Sequence, residues 1–189
     1  MTLKPSRNPY GYRELLVYQK ADALQSHCVS LTSHFPHSKT LVALADQMNR
    51  SARSTKQNIV EGWKRNSTKE YYEFLGYAVA SNAELEEDCT DIWKGHYPEL
   101  TGIKGIMGER KEIEIENIPF YPLDPKFSPA IQLKLQTKEL NFLLEKLQKS
   151  LIRKMEVTFD LPASERLKRR EDQEKDFDRW VAEQRKRLK

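Results

Sequence analysis

Residues 41–62 read LVALADQMNRSARSTKQNIVEG, and this stretch decides the fold. Its apolar and small residues recur with alternating gaps of four and three, which lays one stripe along a helix and favours left-handed packing against neighbours. Small side chains on the stripe predict that another helix approaches closely. Close packing would offset the cost of Gly62, about 1 kcal/mol relative to alanine in a helix. The stripe consists of Leu41, Ala45, Met48, Ala52, Thr55, Ile59 and Gly62.

The same spacing recurs on both sides of this stretch. The central helix itself is predicted over 39–65. A helix over 12–35 precedes it and ends at Pro36, because proline cannot continue the hydrogen-bond ladder. A third helix over 68–96 follows a capping box, in which Ser67 and the residue three positions later satisfy each other's backbone donors.

Three side chains on these stripes are polar or contain sulphur. Cys28 and Cys89 fall on the stripes of the first and third helices, so we expect two buried, reduced thiols. Asn82 is the polar member of the third stripe. A buried asparagine can fix register or partner choice, and an asparagine that is merely hydrogen-bonded is the alternative.

The helical period disappears after Pro98, which predicts an inserted arm over 98–128. Ile113, Ile115 and Ile118 alternate partly as in a strand, so a small hairpin is one alternative. The arm is also rich in apolar residues, which argues against simple disorder and predicts that it packs on something.

A fourth helix restarts with Ser128 as N-cap and Pro129 at the first helical position, and should end between residues 154 and 157. A highly charged helical segment over 163–189 follows. Its apolar stripe is thin, so we expect it to need a partner, most naturally a neighbouring subunit.

These patterns together predict an all-α fold. The expected architecture is an antiparallel up-down four-helix bundle with a long insertion between helices 3 and 4 and a C-terminal helical extension. We assign residues 1–157 to the bundle, with 98–128 as the insertion, and residues 158–189 to the charged extension. No apolar run is long enough to cross a bilayer, and residues 1–10 lack the apolar core of a signal peptide, so we expect a cytoplasmic protein without membrane contact.

Patterns that carry catalysis are missing from the sequence. There is no G-x-S-x-G elbow, no glycine-rich phosphate loop and no H-E-x-x-H, so we expect no enzyme, no catalytic residue and no cofactor. The acids at the end of the third helix lack the Glu-x-x-His motif of di-iron bundles and are interpreted as a solvated face. His27, His34 and His37 lie close in sequence, but Pro36 interrupts them and their spacing matches no ligand set, so no metal is expected.

Basic residues on the second helix form the candidate site. At 100° per residue, Lys39, Arg50, Arg53, Gln57 and Lys64 fall within an arc of about 60° opposite the apolar stripe. Such a row can follow the phosphates of a nucleic acid. Asp46 and Glu61 share this side and dilute the positive charge, so an ordinary solvated face is the alternative. The predicted nucleic-acid contacts are Arg50, Arg53, Lys64, Arg65 and Lys69.

Several motifs resemble the S23-like four-helix bundle family, which includes proteins encoded by intervening sequences of bacterial 23S rRNA genes. The resemblance covers about residues 12–93. Its motifs are YRELLVYQKA at 12–21, QMNRSA at 47–52, QNIVEG at 57–62, STKE at 67–70, FL at 74–75 and AELE at 83–86.

This resemblance implies a ring-like homopentamer. One related branch, the accessory variability determinant of diversity-generating retroelements, binds nucleic acid and a reverse transcriptase, which carries over to Arg50 and Arg53 as candidate contacts. Asn58, Glu61 and Gly62 match a family element that we interpret as structural. The chain departs from the family in its inserted arm and its charged C-terminal segment, and it is less basic than the retroelement branch.

The leading functional hypothesis is therefore a non-enzymatic homo-oligomeric adaptor, favoured as a pentamer, that associates with RNA or DNA. The alternative is an interaction scaffold that docks a protein partner, such as a reverse transcriptase, through the insertion and the C-terminal helix.

Overall fold

The computed structural model describes residues 8–103, 106–107, 127–159 and 161–187. These residues form five α-helices and two short 3-10 turns, Gly11–Glu14 and Pro98–Leu100, with no strand among them. The all-α class predicted from the sequence is confirmed. The helices are α1 (Leu16–Thr32), α2 (Lys39–Lys64), α3 (Thr68–Lys94), α4 (Pro129–Phe159) and α5 (Ala163–Arg187).

The first four helices pack in a closed order. α2 packs against α1 and α3, and α4 packs against α3 and α1. In each neighbouring pair, rising residue numbers on one helix meet falling numbers on the other. The polar contacts with this pattern are Thr32–Asn49 and Asp22–Lys56 (α1–α2), Ser51–Glu84 and Ser54–Ser81 (α2–α3), Glu86–Asn141 and Tyr72–Gln148 (α3–α4), and Lys20–Glu139 and His27–Gln136 (α1–α4).

The predicted stripes form the core between these helices, except that one position on α2 differs from the prediction. Ala45 is only half-buried, whereas Leu44 is buried beside the stripe. Gly62 lies at a close approach between α2 and α3. A Cβ atom there would lie 2.8 Å from Phe74 Cβ and 2.8 Å from Tyr71 Cδ2. The close approach predicted from the small residues of α2 is therefore confirmed.

Helix ends follow the capping chemistry, although some lie a few residues from the predicted positions. The capping box of Ser67 and Glu70 is present at the start of α3. α1 begins at Leu16 and not at residue 12, because Leu15 is extended with ψ of 129°. α3 ends at Lys94, since Gly95 adopts the left-handed conformation with φ of 83°. α4 continues to Phe159, past the predicted end between 154 and 157.

The described parts of the inserted arm pack on the core. Leu100, Ile106 and Met107 are buried and join the main apolar cluster. The backbone N–H of Ala130 at the start of α4 donates to the carbonyl of Ile106 at 3.3 Å. The expectation that the arm packs on the rest of the chain is confirmed for these residues. The strand-like isoleucines at 113, 115 and 118 lie outside the described residues.

Candidate nucleic-acid interface

The outer face of α2 carries the predicted basic row, and its two acids are paired with arginines. Arg50 Nη2 lies 2.6 Å from Asp46 Oδ2, and Arg65 Nη2 lies 3.8 Å from Glu61 Oε2. Both pairs are exposed and stabilise the helix only slightly. Arg53 is exposed and has no ion-pair partner among the described residues. The acids of this face therefore leave part of the row available to an anion.

The structure separates the predicted contacts into two groups. Lys64, Arg65 and Lys69 meet at the junction where α2 ends and α3 begins. Arg50 and Arg53 lie further back along α2, with Arg50 about 21 Å from Lys64 at 1.5 Å per residue. Lys64 is exposed, and Lys69 Nζ lies 3.8 Å from Glu73 Oε1 on an exposed surface. The junction holds the denser set of cations.

An aromatic pair that we did not predict lies beside this junction. The Arg65 guanidinium lies 4.2 Å from the centroid of the Phe74 ring. Phe74 in turn meets Tyr77 edge-to-face, with ring centroids 5.5 Å apart. Tyr77 is 58% exposed, although large apolar rings tend to be covered. Phe74 and Tyr77 are three residues apart and off the α3 stripe, which was the signal in the sequence that could have identified them.

A second arginine–aromatic stack lies at the same end of α2. The Arg13 guanidinium is 5.3 Å from the centroid of Tyr10, whose side chain is 57% exposed. The turn that carries these residues is held against α2 because Trp63 Nε1 donates to the Asn8 carbonyl at 3.0 Å. Gly11 makes this contact possible, since a Cβ there would lie 2.9 Å from Trp63 Cζ2.

We refer to this surface as the basic–aromatic end. It combines cations, which bind phosphates, with ring faces, on which bases stack. Arginine over an aromatic ring also adds a cation–π attraction that keeps the ring and the charge together. Its residues are Tyr10, Arg13, Lys64, Arg65, Lys69, Phe74 and Tyr77.

The three residues that match the family element lie near the α2–α3 contact. Asn58 Nδ2 donates to Ser54 Oγ at 3.3 Å, and Ser54 Oγ is 2.9 Å from Ser81 Oγ on α3. Gly62 allows the close approach described above, whereas Glu61 is exposed. Asn58 and Gly62 therefore contribute to packing between helices.

Helix α3 also carries a buried polar network. Asn82 is fully buried, and its Nδ2 donates to the Thr137 carbonyl and to Asn141 Oδ1, both at 2.8 Å. Asn141 Nδ2 donates to Glu86 Oε2 at 3.1 Å. The network links α3 to α4 at one level along the two helices.

The interpretation of the α3 acids as a solvated face is wrong for two of them. Burial, together with the negative charges of Asp91 and Glu84, raises the pKa of Asp88 to about 6. Burial also raises the pKa of Glu86, against the opposing effect of Lys138. Asp88 Oδ2 is buried and has no hydrogen-bond donor among the described residues. Both residues are half-buried at the edge of the α3 stripe.

The histidines and cysteines show structural roles. His34 Nδ1 is 2.7 Å from the Ser30 carbonyl, and His27 Nδ1 is 2.8 Å from Gln136 Oε1. In the part of the chain that the structure describes, no three His, Cys, Asp or Glu side chains come together as a possible metal site. Both cysteines are free and buried, as predicted. Burial raises the pKa of Cys28 to about 12, so its thiol stays protonated at neutral pH.

Comparisons with known proteins place these features in a family. None of the described helices is long and apolar enough to span a membrane. A comparison with curated proteins found no significant match. A family model described as 23S rRNA-intervening sequence protein matches residues 13–113, which is more than half of the chain. The match includes α1 to α3, the basic–aromatic end apart from Tyr10, and the first part of the inserted arm. The chain belongs to the 23S rRNA-intervening sequence protein family.

Proposed function

We propose that this protein is a non-enzymatic adaptor that binds nucleic acid, in particular RNA, through its basic–aromatic end. The observation that carries the proposal is the stack of Arg65, Phe74 and Tyr77 near Lys64 and Lys69, in which Arg65 and Tyr77 are exposed and Phe74 is half-buried. Cations and exposed rings side by side are the two components of surfaces that bind single-stranded nucleic acids.

The frame that presents this surface is an antiparallel four-helix bundle with an insertion between α3 and α4 and a C-terminal extension. The opposite chain directions of the four neighbouring helix pairs support this architecture. The N-terminal turn and the α2–α3 junction then lie at one end of the bundle, because Trp63 hydrogen-bonds the turn.

Binding is expected to depend strongly on salt. Each phosphate that a lysine or arginine neutralises releases a counterion, so affinity decreases as salt concentration rises. Exposed pairs such as Arg65–Glu61 and Lys69–Glu73 are held only weakly at their distances of 3.8 Å. Their cations can therefore exchange a carboxylate for a phosphate at little cost.

A titration of the full chain into a short fluorescein-labelled single-stranded RNA, followed by anisotropy, tests the proposal. The double variant Lys64→Glu/Lys69→Glu should weaken binding about tenfold or more at low salt, since two phosphate contacts become repulsive. Lys39→Glu is the control, because it reverses a charge on α2 about 37 Å from Lys64. Equal affinities for the wild-type chain and the double variant would exclude this site.

Arg50 and Arg53 form a second group whose contribution is tested in the same titration. If the nucleic acid extends along the outer face of α2, adding Arg53→Glu to the double variant should weaken binding further. If it binds only at the junction, Arg53→Glu should have the small effect of Lys39→Glu. This comparison measures how much of the predicted row belongs to the site.

A protein scaffold is the second candidate function. It is favoured by α5, whose described side chains are mostly exposed and which has no extensive packing against the other described helices. Deletion of residues 163–189 separates the two candidates. Loss of a co-purifying protein with RNA binding intact supports the scaffold, and loss of RNA binding assigns the extension to the nucleic-acid site.

The family resemblance also supports a proposal about the oligomeric state and the protein partners of this chain. We propose a homo-oligomer, favoured as a pentamer, that acts in the cytoplasm, with a reverse transcriptase as one possible protein partner. Light scattering on the purified chain measures the subunit number. A reverse-transcriptase gene beside the coding sequence would support that partner, and its absence would favour a role outside retroelements.

A further inference from the structure

Helix α5 is long and highly charged. It spans Ala163–Arg187, 25 residues. The structure shows no extensive packing between α5 and the other described helices. A charged helix alone in water is marginally stable, and most helices in proteins gain stability from packing one face against another element.

One face of α5 carries a heptad pattern. Leu167, Arg170, Glu174, Phe177 and Val181 follow one another with alternating gaps of three and four and lie within an arc of about 80°. Leu167 is 57% exposed, and Phe177 and Val181 are partly exposed. Two oppositely charged residues therefore interrupt an apolar seam. Such a seam is typical of a helix whose partner is specified by charge as well as by apolar contact.

The charges of α5 are segregated into blocks. Residues 166–170 contain four Lys or Arg and no acid, and residues 171–178 contain five acids and one Lys. This arrangement puts like charges one turn apart, as in Arg166 with Arg170 and Glu174 with Asp178, which destabilises an isolated helix. Support within the helix comes from the ion pairs Arg170–Glu174 at 3.1 Å and Arg179–Asp176 at 2.5 Å. The blocks give residues 166–170 a net charge of +4 (four basic residues and no acid) and residues 171–178 a net charge of −4 (five acids and one Lys).

An antiparallel pair of α5 helices from two copies of the chain matches both the apolar seam and the charge blocks in a single register. When two copies cross at Asp172, Leu167 lies at the height of Phe177 in the other copy, and Arg170 at the height of Glu174. The basic block then faces the acidic block at both ends of the pair. Asp172 lies on the side opposite to the seam, so its two copies do not meet. A parallel pair would place each block against itself, with repulsion along its whole length.

We propose that α5 is a self-association element that pairs antiparallel with α5 of a second copy of this chain, in the register centred on Asp172. The pair joins two copies, whatever assembly the other helices form. The proposal does not depend on nucleic acid, and its test contains none, so its failure would leave the proposed function unaffected.

Disulfide trapping tests the pairing and its register. Full-length Leu167→Cys and Phe177→Cys chains are mixed and oxidised mildly, with wild-type chain as the control for Cys28 and Cys89. The mixture should yield a cross-linked dimer, because the two new thiols lie in the same layer. Each variant alone should yield little, because its two copies are offset by about 15 Å along the helix, beyond disulfide reach. Cross-linking of Leu167→Cys alone would indicate parallel pairing, and no cross-linking in any sample would exclude the pair; either result overturns the proposal.

Charge reversal tests the electrostatic part of the proposal with the same cross-linking yield. Reversing the basic block in the Leu167→Cys chain (Arg166→Glu, Arg170→Glu) should reduce the yield at least fivefold. The acidic block of the Phe177→Cys chain can be reversed as well (Glu174→Lys, Asp178→Lys). The two reversed blocks then attract each other at their end of the pair, so the yield should rise again. Glu183→Lys lies beyond the paired span and is the matched control. A yield insensitive to all of these changes would contradict pairing by charge.

Discussion

The inner and outer sides of α2 are built in opposite ways. On the inner side, Met48 and Ile59 are fully buried, and Gly62 leaves no room for a methyl group. On the outer side, Arg50 and Asp46 pair with 75% and 56% of their side chains exposed. Buried contacts determine the fold and tolerate little change, whereas exposed pairs contribute little to stability. The outer side can therefore acquire a ligand without a cost to the fold.

Truncating the inner side should produce the largest loss of stability. Ile59→Ala removes buried methyl groups and leaves a cavity, so the free energy of unfolding should fall by about 2–5 kcal/mol. Val42→Ala is the matched control on the same helix, since Val42 is 52% exposed, and it should change stability by less than about 0.5 kcal/mol. Urea unfolding followed by circular dichroism measures both. Similar losses for the two variants would mean that the two sides of α2 do not differ as described.

Replacing glycine by alanine should change stability less than Ile59→Ala does, and in opposite directions at Gly62 and Gly76. Gly62→Ala forces Tyr71 and Phe74 apart and should destabilise the protein by about 1–3 kcal/mol. Gly76→Ala meets no atom closer than Gln148 Nε2 at 3.7 Å. It should stabilise the protein by up to about 1 kcal/mol, because alanine favours a helix over glycine. Thermal unfolding of the pair should therefore show Tm shifts of opposite sign, and a raised Tm for Gly62→Ala would refute the close approach.

The buried carboxyl of Asp88 should make stability depend on pH. Its pKa of about 6 in the folded chain exceeds the ordinary value of 3.8, so the folded state binds the proton more tightly than the unfolded state. The contribution of Asp88 to stability is then fully present below about pH 4 and is lost as pH rises through about 6; solvent screening reduces the size of this loss, because the residue is only half-buried.

Asp88→Asn removes this penalty. The variant should have a higher Tm than the wild-type chain at about pH 7.5 and nearly the same Tm at about pH 4. Glu87→Gln on the same helix is the comparison for a change of charge alone, since Glu87 is exposed and is not among the charges that raise the Asp88 pKa. A wild-type Tm that rises between about pH 4 and pH 6 relative to Asp88→Asn would contradict the assignment.

The sequence predicted the inner side of this molecule better than the outer side. Heptad spacing located the buried stripes because burial repeats with the helical period, and the Ser67 capping box located the start of α3. The inward position of Asp88 was not predictable, because it depends on how far α3 is rotated against its neighbours. Phe74 and Tyr77 were missed because their role depends on the approach of Arg65 from another helix.

The most direct test of the central claim is the salt dependence of RNA affinity for three chains: wild type, Lys64→Ala and Tyr77→Ala. Lys64→Ala should lower the slope of log Kd against log salt by about one, because one phosphate contact is lost. Tyr77→Ala should leave the slope unchanged and weaken binding at every salt concentration by about 1–3 kcal/mol, the contribution of one stacked base. Identical curves for all three chains would contradict the claim that the basic–aromatic end binds nucleic acid.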